Sequence, residues 1–241
     1  MSFLEIRGVS KSFRGLKAVA NATFEVPRGE IIALIGPNGA GKTTCFNMIA
    51  GVFAPDSGSI SFQGKPIEGL RPDQVCAAGI GRTFQIVKPF AGLSVLDNVI
   101  VGALQREGSV SSARVFSLAI LEKLRLDAKK NLPASSLTLP DRKRLEVARA
   151  LATRPRLLLL DEAMAGLRPT ECDEMVGAFR ELNRADGLTI LLIEHVMRAV
   201  MALAQQVVVL HHGEIIARGT PAEVVRDAAV LECYLGEETE V

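Results

Sequence analysis

The sequence predicts an α/β fold with a parallel or mixed sheet covered by helices, and three observations carry that expectation. Short β-type runs alternate with helical patterns over most of the 241 residues. Leu157 to Leu160 is continuously apolar, as a strand buried on both faces of a parallel sheet is, and Thr189 to Ile193 reads likewise. The run Ile31 to Ile35 leads directly into a glycine-rich turn and then a helical pattern from about Lys42 to Ala50.

In chain order, Leu4 to Val9 and Ala22 to Val26 read as strands ahead of that unit. Between about Lys88 and Leu139 the β pattern disappears. Apolar spacing is helical in Val95 to Leu104 and in Val115 to Leu126, with Gly108 to Ser112 as a polar break. Ser94 followed by Asp97 caps a helix starting near Val95, because hydroxyl and carboxylate oxygens satisfy the free amides of a first turn. A helical insertion over residues 88–139 within a single domain is therefore expected. Gln206 to Leu210 and Glu214 to Gly219 flank His211-His212-Gly213 as a hairpin, a helix follows from about Ala222, and Gly236 to Val241 is expected to fray.

Composition excludes several classes. Lys and Arg number 28 against 27 Asp and Glu, so no net field favours nucleic acid or anionic lipid. With 48% apolar and 23% charged residues the chain is expected to fold throughout. No apolar run approaches the roughly 20 residues that span a bilayer. The start MSFLEIRG lacks the layout of a secretory signal, so the cytosol is the expected compartment. Cys45, Cys76, Cys172 and Cys233 are scattered, which fits reduced, buried thiols rather than a zinc site or disulfides.

Gly36-Pro37-Asn38-Gly39-Ala40-Gly41-Lys42-Thr43 fits the phosphate-binding loop pattern, in which glycines let successive amides converge on phosphate oxygens. The following helix adds its positive N-terminal end. Lys42 reaches the terminal phosphates as a point charge, the Thr43 hydroxyl suits Mg²⁺, and Thr44 adds a phosphate hydrogen bond. ATP with Mg²⁺ is the expected ligand pair. Leu157 to Leu160 ends in Asp161 and Glu162, placing Asp161 to hold the metal through water and Glu162 to polarise an attacking water. Acids also favour helix starts, and a capping role is the competing reading.

With these residues in place, from about Leu4 to Gly236, the chain resembles an ATP-binding cassette, the motor subunit of ABC transporters. The resemblance implies a P-loop NTPase (RecA-like) core with an antiparallel β subdomain over residues 1–87 and 140–241, and an inserted α-helical subdomain over 88–139. It implies that Phe13, in Lys11-Ser12-Phe13, stacks on adenine, where the alternative is an ordinary core ring. It assigns Gln85, in Arg82-Thr83-Phe84-Gln85, to Mg²⁺ and the attacking water, and His195 to the γ-phosphate. His211 and His212 read as exposed turn residues. Gly79-Ile80-Gly81-Arg82-Thr83-Phe84-Gln85, Leu93-Ser94-Val95-Leu96-Asp97-Asn98-Val99 and Tyr234-Leu235-Gly236 are similar to ATPases of branched-chain amino-acid importers. That likeness implies a second, different ATPase subunit, two transmembrane permease subunits and a solute-binding protein, with the motor peripheral on the inner face of the plasma membrane. The segment Gln85 to Leu104, with Phe90 and Leu93, is then the candidate permease contact, against packing inside the helical subdomain.

The chain departs from the family at its signature. Where Leu-Ser-Gly-Gly-Gln is usual, Leu137-Thr138-Leu139-Pro140-Asp141 stands, followed by Arg142, Lys143 and Arg144. The family closes this segment over ATP on the opposite subunit. Pro140 has no amide hydrogen, Leu139 adds bulk, and Asp141 brings a negative charge that the three basic residues could offset. An ordinary helix start is the plainer account, since proline suits a first turn. Arg168 likewise replaces a usual Asp. A soluble cassette acting on nucleic acid or ribosomes, or a phosphotransferase with the same loop, are the alternatives; neither long coiled insertions nor an acceptor domain is visible.

Overall fold

A computed structural model describes residues 2–85 and 88–235. In chain order they form β1 (Ser2–Phe13), β2 (Leu16–Pro27), β3 (Ile31–Ile35), α1 (Lys42–Ile49), β4 (Ser57–Phe62), β5 (Lys65–Pro66), α2 (Pro72–Ala78), β6 (Ile80–Arg82), α3 (Val95–Ala103), α4 (Val110–Lys123) and α5 (Leu139–Ala152). Then come β7 (Leu157–Asp161), α6 (Pro169–Asp186), β8 (Thr189–Ile193), α7 (Met197–Leu203), β9 (Gln206–His211), β10 (Glu214–Gly219), α8 (Pro221–Val224) and α9 (Ala228–Leu235). By contacts the chain divides into one unit of residues 1–78 with 189–241 and another of residues 79–188.

In the first unit, β3 lies between β8 and β9, parallel to both, with Leu34 opposite Ile193 and Ile35 opposite Val209. Every residue of β3 and β8 is buried. That burial on both faces is what a period-free apolar run demands. Each fully buried Leu or Ile there contributes about 2 kcal/mol of transfer free energy. A separate antiparallel sheet runs in the order β2, β1, β4, β5. Its hairpins, and that of β9 with β10, close through the two-residue turns Arg14-Gly15, Gln63-Gly64 and His212-Gly213, with both residues of each at positive φ.

The second unit pairs β6 with β7 in parallel, Arg82 opposite Leu159. All of β7 is buried. Helices α3 and α4 pack on α5. Ser94 caps α3 as expected, its hydroxyl accepting from the Asp97 amide. Three expectations need correction. The helix expected from Val115 starts at Val110, because Ser109 accepts from the Ser112 amide and converts the polar break into a cap. The helix expected from Ala222 divides into α8 and α9, since the Asp227 carboxylate accepts from the Ala229 and Val230 amides and starts a new helix. Cys76 is half-buried, whereas Cys45, Cys172 and Cys233 are buried thiols. The end expected to fray, Gly236 to Val241, lies outside the described residues.

Asn98, wholly buried on α3, holds the loop before it: its Oδ1 accepts from the Phe90 amide at 2.9 Å, and its Nδ2 donates to the Phe90 carbonyl at 3.1 Å and the Ser94 carbonyl at 2.9 Å. Asn98→Ala strips these partners from a buried turn. Guanidinium unfolding is expected to show a loss of about 2 kcal/mol, and a loss under a few tenths would show the loop to be held by packing alone.

Candidate functional site

One cluster of candidate residues belongs to the unit that carries β3. Beyond Ile35 the chain turns through Gly36 to Gly41 into α1, and neighbouring backbone crowds the turn. A Cβ on Gly36, at φ 147°, would lie 1.9 Å from the Leu210 carbonyl oxygen, and one on Gly41, at φ 103°, 2.2 Å from that of Ala18. Only glycine fits either place. Gly41 caps α1 without a side-chain hydrogen bond, so the amides of the first turn face an anion-binding end of the helix. Lys42 is buried, and its ammonium bridges back to the carbonyl oxygens of Gly36 at 2.6 Å and Pro37 at 2.7 Å, inside the loop. Asn38, Gly39 and Thr43 are exposed, Thr44 half-buried, and Pro37 and Ala40 buried.

His195 follows β8 as Gly36 follows β3, and the parallel register of Leu34 with Ile193 brings both to the carboxyl end of the strands. It is exposed. Phe13 ends β1 with 38% of its surface exposed, so it is not a core ring. Its ring meets Phe53 edge-on, with centroids 5.2 Å apart. Asp56 braces this strand end, accepting from Lys11 Nζ and from the Ser12 amide, each at 2.7 Å, and the Lys11 hydrogen bond leads in holding its carboxyl below the usual range. Of the two turn histidines only His212 is exposed; His211 is half-buried.

A separate cluster belongs to the unit that carries β7. Asp161 closes that strand, buried, with Oδ2 accepting from Arg82 Nη2 at 3.0 Å and its amide donating to Thr83 Oγ1 at 3.1 Å. Oδ1 is buried without a hydrogen-bond partner among the described residues. Burial pushes this carboxyl up, against the pull of the Arg82 hydrogen bond and charge. Glu162 stands at φ 50°, a left-handed backbone that a side chain disfavours. Its Oε2 accepts from Gln85 Nε2 at 2.7 Å, and its carbonyl accepts from Lys143 Nζ at 2.7 Å. No helix begins there, since α6 starts at Pro169; the capping alternative for these acids is set aside.

The signature segment opens α5, with Thr138 as its cap and Pro140 in the first turn. The Thr138 hydroxyl donates to Asp141 Oδ2 at 2.8 Å instead of accepting from an amide. Asp141 is buried and also bonded by Lys129. Burial raises its carboxyl, but the Lys129 and Thr138 hydrogen bonds and the charges of Lys129 and Arg144 prevail, so it stays below its ordinary value. The expected offset by three basic neighbours needs correction. Arg144 alone approaches, at 3.9 Å, while pairing with Glu174; Arg142 donates to the Leu137 carbonyl and Lys143 to that of Glu162. Leu139 is exposed, its Cδ2 3.3 Å from where a Cβ on Gly166 would stand. Arg168 starts α6, its amide donating to Glu171 Oε2 at 2.8 Å.

Sequence reading did not assign Arg82, Thr83 or Lys143 to the site. Phe90 and Leu93 are partly exposed, the Arg149 guanidinium lying 5.0 Å from the Phe90 ring centroid.

Residues 19–165 match the family model described as ABC transporter, and residues 214–240 that described as branched-chain amino acid ATP-binding cassette transporter. The chain is 38% identical over 249 residues to the high-affinity branched-chain amino acid transport ATP-binding protein LivG of Salmonella typhimurium, covering 97% of this chain and 98% of that one. It is 36% identical over 251 residues to the corresponding protein BraF of Pseudomonas aeruginosa, with the same coverage. Crystal structures of ATP-binding cassettes of ABC transporters superpose with a TM-score of 0.88: a nucleotide-free one at 30% identity, covering 97% of this chain and 99% of that one, and one in its ADP conformation at 31%, covering 98% and 99%. With a glycine loop opening a bare helix end, an acid pair closing a buried strand, and relatives spanning almost its whole length, the chain belongs to the ABC transporter family as an ATP-hydrolysing subunit.

Proposed function

We propose that the chain is the motor of an importer for branched-chain or related amino acids, with Glu162 as the base of ATP hydrolysis. The Gln85 contact carries the assignment of the base: a carboxylate beyond a buried strand is pinned by an amide at 2.7 Å while its own backbone is held from a third element. The solute class is supported by the relatives' names and the match over residues 214–240.

The backbone N–H groups from Asn38 to Thr44 and the ammonium of Lys42 hold the phosphates, and Phe13 stacks on adenine. Glu162 accepts the proton of the water attacking the γ-phosphate, and His195 donates to that phosphate. Thr43, Gln85 and Asp161 suit Mg²⁺, a hard cation preferring oxygen. Gln85 spends its amide nitrogen on Glu162, which leaves its carbonyl oxygen to ligate a cation, and Asp161 Oδ1 is a buried acceptor without a partner among the described residues. When bound, the ion neutralises charge on the phosphates. Residues 88–139 act as the helical subdomain, and the segment from Gln85 to Leu104, with Phe90 and Leu93, grips a permease.

None of the described helices is long and apolar enough to cross a membrane. The relatives' names as transport ATP-binding proteins support a peripheral place at the inner face, on membrane-spanning partners. The partners are two permease subunits, a solute-binding protein and a second, different ATPase. Thr138, Leu139, Pro140 and Asp141 face the ATP of that second subunit with reduced power, because hydroxyl and carboxylate are turned on each other and Pro140 offers no amide. The two composite sites of the heterodimer are then unequal.

Glu162→Gln in the purified complex is expected to keep ATP binding and lower turnover at least a hundredfold; turnover within twofold of the parent removes Glu162 from the role of base. Replacing both Leu139 and Pro140 by Gly is expected to raise single-turnover hydrolysis at the partner's site severalfold. Equal rates at both sites of the unmodified complex would end the proposal of asymmetry.

A further inference from the structure

Helix α5 presents Lys143, Glu146 and Arg149 at successive steps of three, a spacing that puts them along one side of a helix. Charged side chains there are unusual, because Lys143 and Glu146 are about as buried as the apolar residues around them, at 6% and 5% exposure. Each reaches main chain of the β7 cluster. Lys143 Nζ donates to the Glu162 carbonyl at 2.7 Å, Arg149 Nη1 donates to the Lys88 carbonyl at 3.0 Å, and between them the Glu146 carboxylate faces the Phe84 amide, which favours its charged form. Arg149 also binds Glu146 at 3.1 Å, which ties the row together. The groups held flank Gln85 on both sides in sequence and include Glu162, so one rigid helix grips both partners of the 2.7 Å Gln85–Glu162 contact.

We infer that α5 is the positioning element of the hydrolytic pair, with Lys143 holding Glu162 in its strained backbone conformation and Glu146 fixing the residue before Gln85. The inference rests on Glu162 being the base. Left-handed backbone is disfavoured for a side-chain-bearing residue and persists only where its surroundings impose it. A charge-assisted hydrogen bond to the carbonyl of that residue supplies the constraint. Without it, Glu162 relaxes toward ordinary backbone angles, its carboxylate swings away from Gln85, and the attacking water loses its acceptor. Binding of ATP does not depend on this geometry, because the phosphate loop is built on other elements.

The test uses the transporter complex purified through a tag on this chain, with ATP affinity titrated by a labelled nucleotide and turnover measured at saturation. Lys143→Met keeps the stem and removes the donor. Turnover is expected to fall at least tenfold while ATP affinity changes less than twofold. Lys143→Arg, which keeps a charged donor, is expected to recover half or more of the parent rate. Lys143→Gln, shorter and neutral, serves where the Met variant fails to assemble and is expected to lose at least threefold with affinity kept. Added to Glu162→Gln, Lys143→Met is expected to cause no further loss, since it acts only through Glu162. Unchanged turnover in the Met or Gln variant, parallel loss of affinity and turnover, or an additive loss on Glu162→Gln overturns the inference. Full turnover in Glu162→Gln alone overturns the base assignment itself, and so is distinguished from failure of the positioning role.

Discussion

Strands buried on both faces leave polar side chains only one place to stand, the strand ends, and the placement of this site follows from that constraint. In β3, β7 and β8 every residue is buried, and the groups with chemistry lie at or just beyond the last apolar position: Gly36 to Thr44 after β3, Asp161 and Glu162 at the end of β7, His195 after β8. Parallel pairing compounds the effect. Because Leu34 lies opposite Ile193, and Arg82 opposite Leu159, functional residues from different strands emerge at a common edge within each unit without any long loop to carry them. Open α/β sheets gather their ligands at carboxyl ends for the same reason.

The parts of the fold legible in the sequence are those whose physics is local. The apolar runs, the Ser94 cap and the glycine loop all declare themselves within about ten residues. The hairpin turn at Arg14-Gly15 escapes because the polar stretch Ser10-Lys11-Ser12 before it and Lys17 after it interrupt the apolar runs that would mark its strands, whereas the apolar run up to Leu210 reaches almost to His212-Gly213. Ser109 and Asp227 show the opposite case: in sequence one reads as part of a break and the other as an ordinary helical position, and in the fold each starts a helix.

The candidate site divides along the same line. Lys42, Thr43 and the acids of β7 follow from sequence pattern. What holds those acids could not be read, because the partners are distant: Arg82 and Asp161 are 79 positions apart, Gln85 and Glu162 77. Lys143 was visible only as a basic residue near Asp141, and proximity in sequence suggested the wrong partner for it. A lysine followed three positions later by a glutamate reads as an exposed ion pair on a helix, and nothing short of packing reveals that both are buried and committed elsewhere.

Burying that much charge carries a thermodynamic cost. Arg82, Asp161, Lys143 and Glu146 lie largely out of water, and a buried pair is seldom more stable than apolar residues of the same volume. The rise of the Asp161 and Glu146 carboxyls by burial reports the same penalty. Such groups are maintained where a charge must be ready in a fixed orientation before its ligand arrives, since a pre-oriented dipole needs no reorganisation at the moment of reaction. The start of α5 shows the converse. There Asp141 and Thr138 bond to one another and to Lys129, so the polar atoms that could meet a phosphate are satisfied within the chain. One helix therefore carries a start whose polar atoms are closed on one another and a side whose Lys143 is engaged with the Glu162 carbonyl, and this difference in satisfaction sets its start apart from its side.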